Sequence, residues 1–464
     1  MLGTKKGLRG SYVTGTQIDA KTDPDGFTVG RVMTLDSVAT VVDRVDAMCA
    51  VDISGTTSVF AMGNDGNIYR KTGAGAWSKL RTLEAAVGKG IGVFNNYMYY
   101  AADTALGSYD FLSDTPSFTD AFQTLTTAPN MAQFTGQHPM CNFLNMICIG
   151  NARYVAIYDS AAIWDAYKVV LPPTTLVTSL TVWGDRLAIG TVDGLGRGFV
   201  YLWDGVASTY NTFFQVPSGG VHTMVVNAGV LYIWAGAELT LYTFTGGAPF
   251  DIYNIPRVGG QKYAEIYHGG ATVFEGIPIF AVPGATDSTT LTKGLYSYGA
   301  ITDSYNDVLA LDYIPSNAGA GLRIGSALAV GADLYIGWES DTGAGIDKLG
   351  TAPASSCTYE SPVFDGGRPF QGMTVYEVII NCSPLAAGET ITIKRKANRE
   401  TSWVDLGVMD TDGDSKKDFP VNRSTGAGYL QCNEFQLQVV VSQTGSTAPT
   451  IYSITTVYSL NDLT

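Results

Sequence analysis

The sequence lacks any apolar run near the ~20 residues that a membrane-spanning helix requires. No segment keeps the apolar period of a helix over several turns, so little helix is expected. Charged residues make up only 15% of the chain, and the net charge is −14. Because binding to phosphates needs an excess of Lys and Arg, this balance argues against sequence-specific nucleic-acid binding and against anionic membranes.

Histidine and paired cysteine are also scarce. The only histidines are His138, His222 and His268, and no HxH, HExxH or His/Asp/Glu cluster accompanies them. The sequence therefore predicts no His-based metal site, although the three residues lie near the starts of repeats and some can face a central axis. The six cysteines form no CxxC pair, which predicts free, buried thiols.

What the chain has instead is a repeated strand-pair signature. Each copy begins on an apolar residue, turns on Asn, Gly or Asp, and continues as an apolar and aromatic strand that ends on a small residue. The seven copies lie at 57–63, 94–101, 143–150, 183–190, 226–235, 274–281 and 330–337. A period of about 45 residues predicts a repeat architecture.

Each signature is followed by a strand carrying Tyr or Trp and then by an outer strand, which makes four short antiparallel strands per repeat. Such a sheet cannot bury both faces alone, so the units must stack around an axis. The sequence predicts a seven-bladed β-propeller, and six or eight blades also fit. Residues 27–38 resemble the outer stretch 77–87 and are predicted to be the fourth strand of the seventh blade, which closes the ring.

One position of the repeat carries an aromatic residue in most copies. We interpret these side chains as core between blades rather than as a stacking platform for sugars. They are Tyr69, Tyr109, Tyr158, Trp203, Tyr242 and Tyr296.

The pattern changes from about Ala354 onward. Alternating segments at 373–381, 389–397, 403–409, 435–442 and 450–458 predict a β-sandwich of jelly-roll or similar topology. The predicted chain is therefore all-β, with an N-terminal arm over 1–26, a propeller over 27–352 and a sandwich over 353–464.

Two sets of acidic residues were candidates for chemistry. Asp410, Asp412 and Asp414 have the spacing that begins a calcium loop, but position twelve is Val421 and the Gly is not at position six, so a polar turn is the preferred interpretation.

Propeller glycosidases need Arg residues, carboxylates and a general acid of raised pKa at one mouth. The only Glu residues of the middle repeats are Glu238, Glu265, Glu275 and Glu339. No GxSxG, SxDxGxxW, WD40 or kelch signature occurs. No catalytic residue, enzymatic activity or cofactor is therefore predicted.

The order of these parts, in which residues 359–367 lead from the propeller into a small sandwich, resembles structural proteins of tailed bacteriophages. The most similar group is the propeller-containing tail nozzle or hub proteins of short-tailed phages, and the similarity is one of architecture along nearly the whole chain. It implies a non-enzymatic virion protein of the tail, assembled in the host bacterial cytoplasm. It also implies rings, commonly of six copies, that contact adaptor, portal or fibre proteins while DNA passes through.

Other functions remain open at this point. The chain can instead be a host-receptor or glycan-binding adhesion module, a capsid decoration protein or a secreted glycan-active enzyme. No apolar segment follows Lys5, Lys6 and Arg9, so no signal peptide is recognised and the enzyme is disfavoured. The arm that carries these basic residues either contacts a neighbouring subunit or is a disordered end. A negative charge suits a passage along which DNA slides.

Overall fold

A computed structural model describes residues 14–19, 26–37, 41–83, 90–102, 104–113, 117–125, 137–237, 239–254, 266–282, 293–299, 308–317, 319–366, 371–422 and 428–461. Every regular element within these ranges is a β-strand, as the sequence predicts. No helix long and apolar enough to cross a membrane occurs among them.

The strands follow the predicted repeats closely. The N-terminal strands are β1 (Thr14–Thr16), β2 (Ile18–Asp19), β3 (Thr28–Val29) and β4 (Arg31–Leu35). The first repeat contains β5 (Val45–Ile53), β6 (Thr56–Gly63), β7 (Asn67–Thr72) and β8 (Ser78–Thr82). The second contains β9 (Gly90–Phe94), β10 (Tyr97–Ala102), β11 (Ala105–Asp110) and β12 (Ser117–Thr124).

The next three repeats also contain four strands each. The third contains β13 (Met140–Phe143), β14 (Met146–Asn151), β15 (Tyr154–Asp159) and β16 (Trp164–Val170). The fourth contains β17 (Leu176–Trp183), β18 (Arg186–Val192), β19 (Gly198–Trp203) and β20 (Thr212–Val216). The fifth contains β21 (Val221–Asn227), β22 (Val230–Ala235), β23 (Thr240–Phe244) and β24 (Phe250–Asn254).

Two further repeats complete the set of seven. The sixth contains β25 (Ala271–Phe274), β26 (Ile277–Val282), β27 (Gly294–Gly299) and β28 (Val308–Tyr313). The seventh contains β29 (Arg323–Val330), β30 (Asp333–Ser340) and β31 (Gly343–Pro353). It lacks an outer strand of its own.

Eight strands of the described residues follow the seventh repeat. They are β32 (Ser356–Glu360), β33 (Met373–Cys382), β34 (Thr390–Ala397), β35 (Val404–Met409), β36 (Lys416–Pro420), β37 (Leu430–Cys432), β38 (Phe435–Ser442) and β39 (Ile451–Leu460).

Two compact units contain these strands. One comprises the described parts of Met1–Met33, Leu295–Ile314 and Gly350–Thr464. The other comprises those of Thr34–Gly294 and Pro315–Leu349. Strands β25 and β26 belong to the second unit and β27 and β28 to the first. The boundaries at 26 and 352 that the sequence predicts stay a prediction.

The seventh blade is closed by the N-terminal segment, and this prediction is confirmed. Strand β4 is the fourth member of the sheet ordered β29-β30-β31-β4. Just after it, the amides of Asp36 and Ser37 donate to the carbonyl oxygen of Ile346 at 2.9 and 3.2 Å, and Thr34 Oγ1 donates to that of Lys348 at 3.2 Å. Pairing of the first and last parts of the unit protects sheet edges that would otherwise be free.

The apolar core of the second unit lies between adjacent blades. Phe60 and Met62 of the first blade pack with Met98, Tyr100 and Tyr109 of the second in one buried cluster. Of the six repeated aromatic residues, all except the partly buried Tyr158 are buried. Their interpretation as core is therefore confirmed.

One close approach in this core yields a testable prediction. A Cβ atom on Gly107 would meet the ring of Tyr100, which is buried and donates its hydroxyl hydrogen to Asp120 at 2.5 Å. Because that ring has no room to move, we expect Gly107→Ala to lower the free energy of unfolding by about 1–3 kcal/mol. Urea titration measures it. Gly247→Ala is the matched control, since a Cβ there meets nothing within 4 Å. Equal effects of the two substitutions would contradict the packing argument.

The C-terminal strands form the predicted sandwich. One sheet contains β1-β32-β38-β34-β35 in that order, and the other contains β36 and β37 on one side of β33 and β39 on the other. Inward residues alternate with outward ones in β34, where Ile391 and Ile393 are fully buried, and in β38, where Val439 and Val441 are. Together with Val378 of β33 they belong to one core cluster.

Part of the predicted N-terminal arm belongs to this sandwich sheet. Strand β1 pairs antiparallel with β32, with Gly15 opposite Tyr359, and Thr16 pairs in parallel with Leu311 of β28. Residues 14–19 are therefore strands bound within their own chain rather than a disordered end. The basic residues Lys5, Lys6 and Arg9 lie outside the described residues.

Candidate functional site

The inner strands of four repeats contain the same irregularity near their first residues. The register with the second strand shifts between Val45 and Ala47 in β5, and at equivalent places in β17, β21 and β29. Each shift leaves one extra residue, as in a β-bulge, and a bulge turns that residue away from the ladder. The extra residues are Asp46, Thr178, His222 and Gly325.

Eight polar residues lie at or next to the starts of inner strands, or pair with a residue there. We call this group the mouth cluster, and its members come from the first, third, fifth, sixth and seventh repeats. It consists of Arg44, Asp46, Gln137, His138, His222, His268, Arg323 and Glu339.

Arg44 is the central cation of the mouth cluster. Its side chain is 4% exposed, and its Nε donates to Asp46 Oδ1 at 2.5 Å. Its Nη1 donates to Glu339 Oε1 at 3.0 Å, and its guanidinium carbon lies 4.2 Å from the ring centroid of Tyr267. Two carboxylates and an aromatic face offset the desolvation of the buried charge. Although burial opposes the charged form, these partners raise the pKa of Arg44 above its ordinary value.

Glu339 links this cation to a second one. Its Oε1 accepts from Arg323 Nη1 at 3.2 Å as well as from Arg44. Burial is the largest influence on its carboxyl group and, together with Asp43, outweighs the two arginines, so that the pKa of Glu339 is raised. Since Glu339 is in β30 and Arg44 precedes β5, the ion pair joins the seventh blade to the first.

A second charged contact spans the same pair of blades. Asp36, which follows the closing strand β4, accepts from Lys71 Nζ at 2.6 and 2.7 Å and from Trp77 Nε1 at 2.7 Å. Lys71 is 6% exposed. Nearby, Ser326 Oγ donates to the carbonyl oxygen of Val45 at 2.9 Å. The seam between the last and first blades therefore contains two ion pairs, each between a buried cation and a partly buried carboxylate.

Two of the three histidines, His268 and His138, lie near one another. His268 Nδ1 is hydrogen-bonded to Gln137 Oε1, and the Thr223 hydroxyl donates to the His268 carbonyl oxygen at 2.9 Å. Burial, with a smaller contribution from the charge of nearby His138, lowers the pKa of His268 to about 4. The imidazole is thus neutral at pH 7.

His138 and His222 make equivalent contacts in different blades. His138 Nδ1 lies 2.6 Å from the carbonyl oxygen of Gly150, and His222 Nε2 lies 3.0 Å from that of Gly236. A carbonyl only accepts, so in each case the ring nitrogen carries the hydrogen and donates. Burial lowers the pKa of His222. These rings connect an inner strand to the end of its neighbour.

The acidic residues that the sequence singles out lie in different environments. Glu339 joins the mouth cluster, whereas Glu275 is exposed on the turn between β25 and β26 with a φ of 50°. Glu238 and Glu265 lie outside the described residues. Glu339 has the raised pKa that a general acid needs, but its carboxylate is bound by two arginines.

The aspartate triplet lies on the turn between β35 and β36. Gly413 has a φ of 84° there, and its amide donates to the Leu385 carbonyl oxygen at 2.9 Å. Asp410 and Asp412 are exposed and Asp414 is half-buried. Within the described ranges no three His, Cys, Asp or Glu residues are arranged to hold a metal ion.

All six cysteines are free; four are buried as predicted, whereas Cys49 and Cys141 are only partly buried. Cys141 and Cys148 are directly opposite one another in β13 and β14. Burial raises the pKa of both thiols, so neither is an activated nucleophile.

Comparison with known proteins finds distant similarity to solved structures. No protein-family model and no curated protein matches the sequence. Raptor of Chaetomium thermophilum is 12% identical over 69% of this chain and 30% of its own, with a TM-score of 0.47. The extracellular domain of the one-component system BT4673 of B. thetaiotaomicron is 12% identical over 77% of this chain and 44% of its own, with a TM-score of 0.48.

A third solved structure is a propeller of known type. The WD40 β-propeller domain of Doa1 is 9% identical over 69% of this chain and 96% of its own, with a TM-score of 0.43. This chain spans less than half the length of the Raptor and BT4673 chains. The propeller architecture itself follows from the strand order given above.

Proposed function

We propose that this chain is a non-enzymatic structural subunit of a tailed-phage virion, most specifically of a tail nozzle or hub. The observation that carries the proposal is the mutual pairing of the mouth cluster. Arg44 donates to both Asp46 and Glu339, and His138 and His222 donate to backbone carbonyls of their own blades. These contacts give the propeller rigidity, which suits a subunit that is assembled once and carries load.

The net charge of the chain supports a location beside the DNA passage of the tail. The chain carries a net charge of −14. An acidic surface repels the phosphate backbone, so a passage built from such subunits lets DNA slide without binding it. In this role the chain works as a homo-oligomeric ring in the tail and contacts adaptor, portal or fibre proteins.

Negative-stain electron microscopy of the purified full-length chain tests this proposal. We expect rings of several copies around a central channel, with or without an adaptor partner added. Isolated single copies at every concentration and with every tail component would contradict a ring-forming subunit.

A second candidate function is favoured by a specific feature of the sandwich. Tyr429 is 50% exposed, and its ring centroid lies 4.9 Å from that of Tyr376, nearly perpendicular to it. Beside this pair is the hydroxyl group of Ser459, which is hydrogen-bonded to that of Tyr376 at 2.8 Å. Aromatic faces beside hydroxyl groups suit the mixed apolar and polar surface of a sugar.

A glycan-binding screen separates the two functions. Binding that is lost in Tyr429→Ala and kept in Phe213→Ala, which removes an exposed aromatic residue of the fourth blade, would support an adhesion module. No binding by the full-length chain would leave the structural subunit as the better assignment.

A further inference from the structure

The last strand of the sandwich has one unprotected edge. Strand β39 is ten residues long, and β33 is the only strand that pairs with it in the described part of the chain. At its first residue, Ile451 exchanges backbone hydrogen bonds with Phe27 at 2.8 and 3.0 Å. From Tyr452 to Leu460 the edge facing away from β33 has no strand partner among the described residues. Such an edge is a template for another strand.

Two other edge strands of the sandwich, β35 and β36, are protected, and the third, β37, has only three residues. Strand β36 carries Lys416, Lys417 and Asp418 and ends on Pro420. In β35 the carbonyl oxygen of Val408 accepts from Lys417 Nζ at 2.6 Å. Charge and proline on an edge are the usual means by which a sheet avoids pairing with another chain.

Strand β39 has none of these features. Its sequence is Ile-Tyr-Ser-Ile-Thr-Thr-Val-Tyr-Ser-Leu, without charge, proline or glycine. The chain as a whole repels copies of itself because of its net charge of −14, and β39 is a segment where that repulsion is locally absent. Apart from Leu460, a partner strand that approaches here meets only β-branched, aromatic and hydroxyl side chains, which pair well across strands.

The exposed residues of β39 are arranged symmetrically. They are Tyr452, Thr455 and Tyr458, spaced evenly about Thr455. The two tyrosines are 48% and 37% exposed. A two-fold contact requires a self-complementary surface, because each residue must face its counterpart in the other copy.

We infer that the free edge of β39 pairs antiparallel with β39 of a second copy of this chain, with the two-fold axis at Thr455. In this register Tyr452 lies opposite the partner's Tyr458, and Thr455 lies opposite its own counterpart. The sandwich sheet then continues from one copy into the other. This contact is additional to the proposed function, since a ring is built from head-to-tail contacts and a two-fold contact is not one of them.

Substitutions that place a charge at the symmetry axis of the full-length chain test the inference. Thr455 is exposed and its opposite residue on β33 is the half-buried Ile379, so Thr455→Lys and Thr455→Glu leave the core unchanged. Each variant places two like charges directly opposite one another across the axis. We expect each to halve the mass of the assembly in sedimentation equilibrium, whatever the number of copies in the unaltered protein. An equimolar mixture of the two variants is expected to restore the mass.

The control is Gln431→Lys, which adds the same charge at an exposed position of β37 in the same sheet and is expected to keep the unaltered mass. A monomeric unaltered chain, or a Thr455→Lys variant of unchanged mass, would overturn the β39 contact. Failure of the mixture to recover the mass would do the same. Loss of this contact leaves a ring visible by microscopy, so failure of the inference is distinguishable from failure of the proposed function.

Discussion

Replacing Arg44 with alanine is expected to lower the free energy of unfolding by about 3–5 kcal/mol. The substitution removes a buried guanidinium and leaves Asp46, whose side chain is 3% exposed, without its cationic partner. It also removes one of two cations that bind Glu339. Leaving a buried carboxylate unpaired costs more free energy than the original ion pair contributes to stability. The expected loss is therefore large. Equilibrium denaturation at pH 7 measures it.

The control for this prediction is an arginine of similar chemistry at the surface. Arg186 lies 3.7 Å from Asp185, whose side chain is 93% exposed. Surface pairs contribute about 0–1 kcal/mol, so Arg186→Ala is expected to have little effect. A loss of under about 1 kcal/mol for Arg44→Ala would mean that the mouth cluster does not stabilise the fold.

Acid is expected to destabilise the propeller between pH 6.5 and pH 4. The pKa of His268 falls from 6.5 to about 4 on folding, so in this interval the unfolded chain binds the proton and the folded chain does not. Stability therefore rises with pH: the contribution is complete above pH 6.5 and is lost as the pH falls toward 4. The shift corresponds to about 3 kcal/mol from this residue. The lowered pKa of His222 acts in the same direction.

The variant His268→Gln separates the contribution of His268 to the pH dependence of stability from the contributions of other titratable groups. We expect its free energy of unfolding, measured by urea titration at pH 7.5 and pH 4.5, to vary less with pH than that of the unaltered chain. The carboxylates of Asp193 and Asp204, whose pKa values are lowered by hydrogen bonds, lose their contribution only below pH 4. The same pH dependence in both proteins would show that burial of His268 is not the cause.

The sequence predicted most of the fold because the repeat signal is local. An apolar start, a turn residue and an aromatic strand recur together, and turns such as the one at Asn95 and Asn96, with φ of 45° and 67°, match that signal. The closing strand was found from its likeness to residues 77–87. In the sandwich, β36 and β37 were missed because Lys416–Pro420 is charged and Leu430–Cys432 has only three residues.

The mouth cluster was only partly accessible from sequence. The histidines and Glu339 were singled out as residue types, but nothing local identified Arg44 as the partner of Glu339, which is 295 positions away. The bulges at Asp46 and His222 follow from register between strands, which no residue pattern revealed. The signal that was available is the position of each residue near the start of an inner strand, in several repeats at once.

The ion pair between Arg44 and Glu339 holds the first and seventh blades together. A double-mutant cycle of Arg44→Ala and Glu339→Ala, measured on the free energy of unfolding, tests this contact. We expect the two losses to be non-additive, with a coupling of about 1–3 kcal/mol, because each substitution removes the same contact. Additive losses, within about 0.5 kcal/mol, would contradict a stabilising pair across the seam.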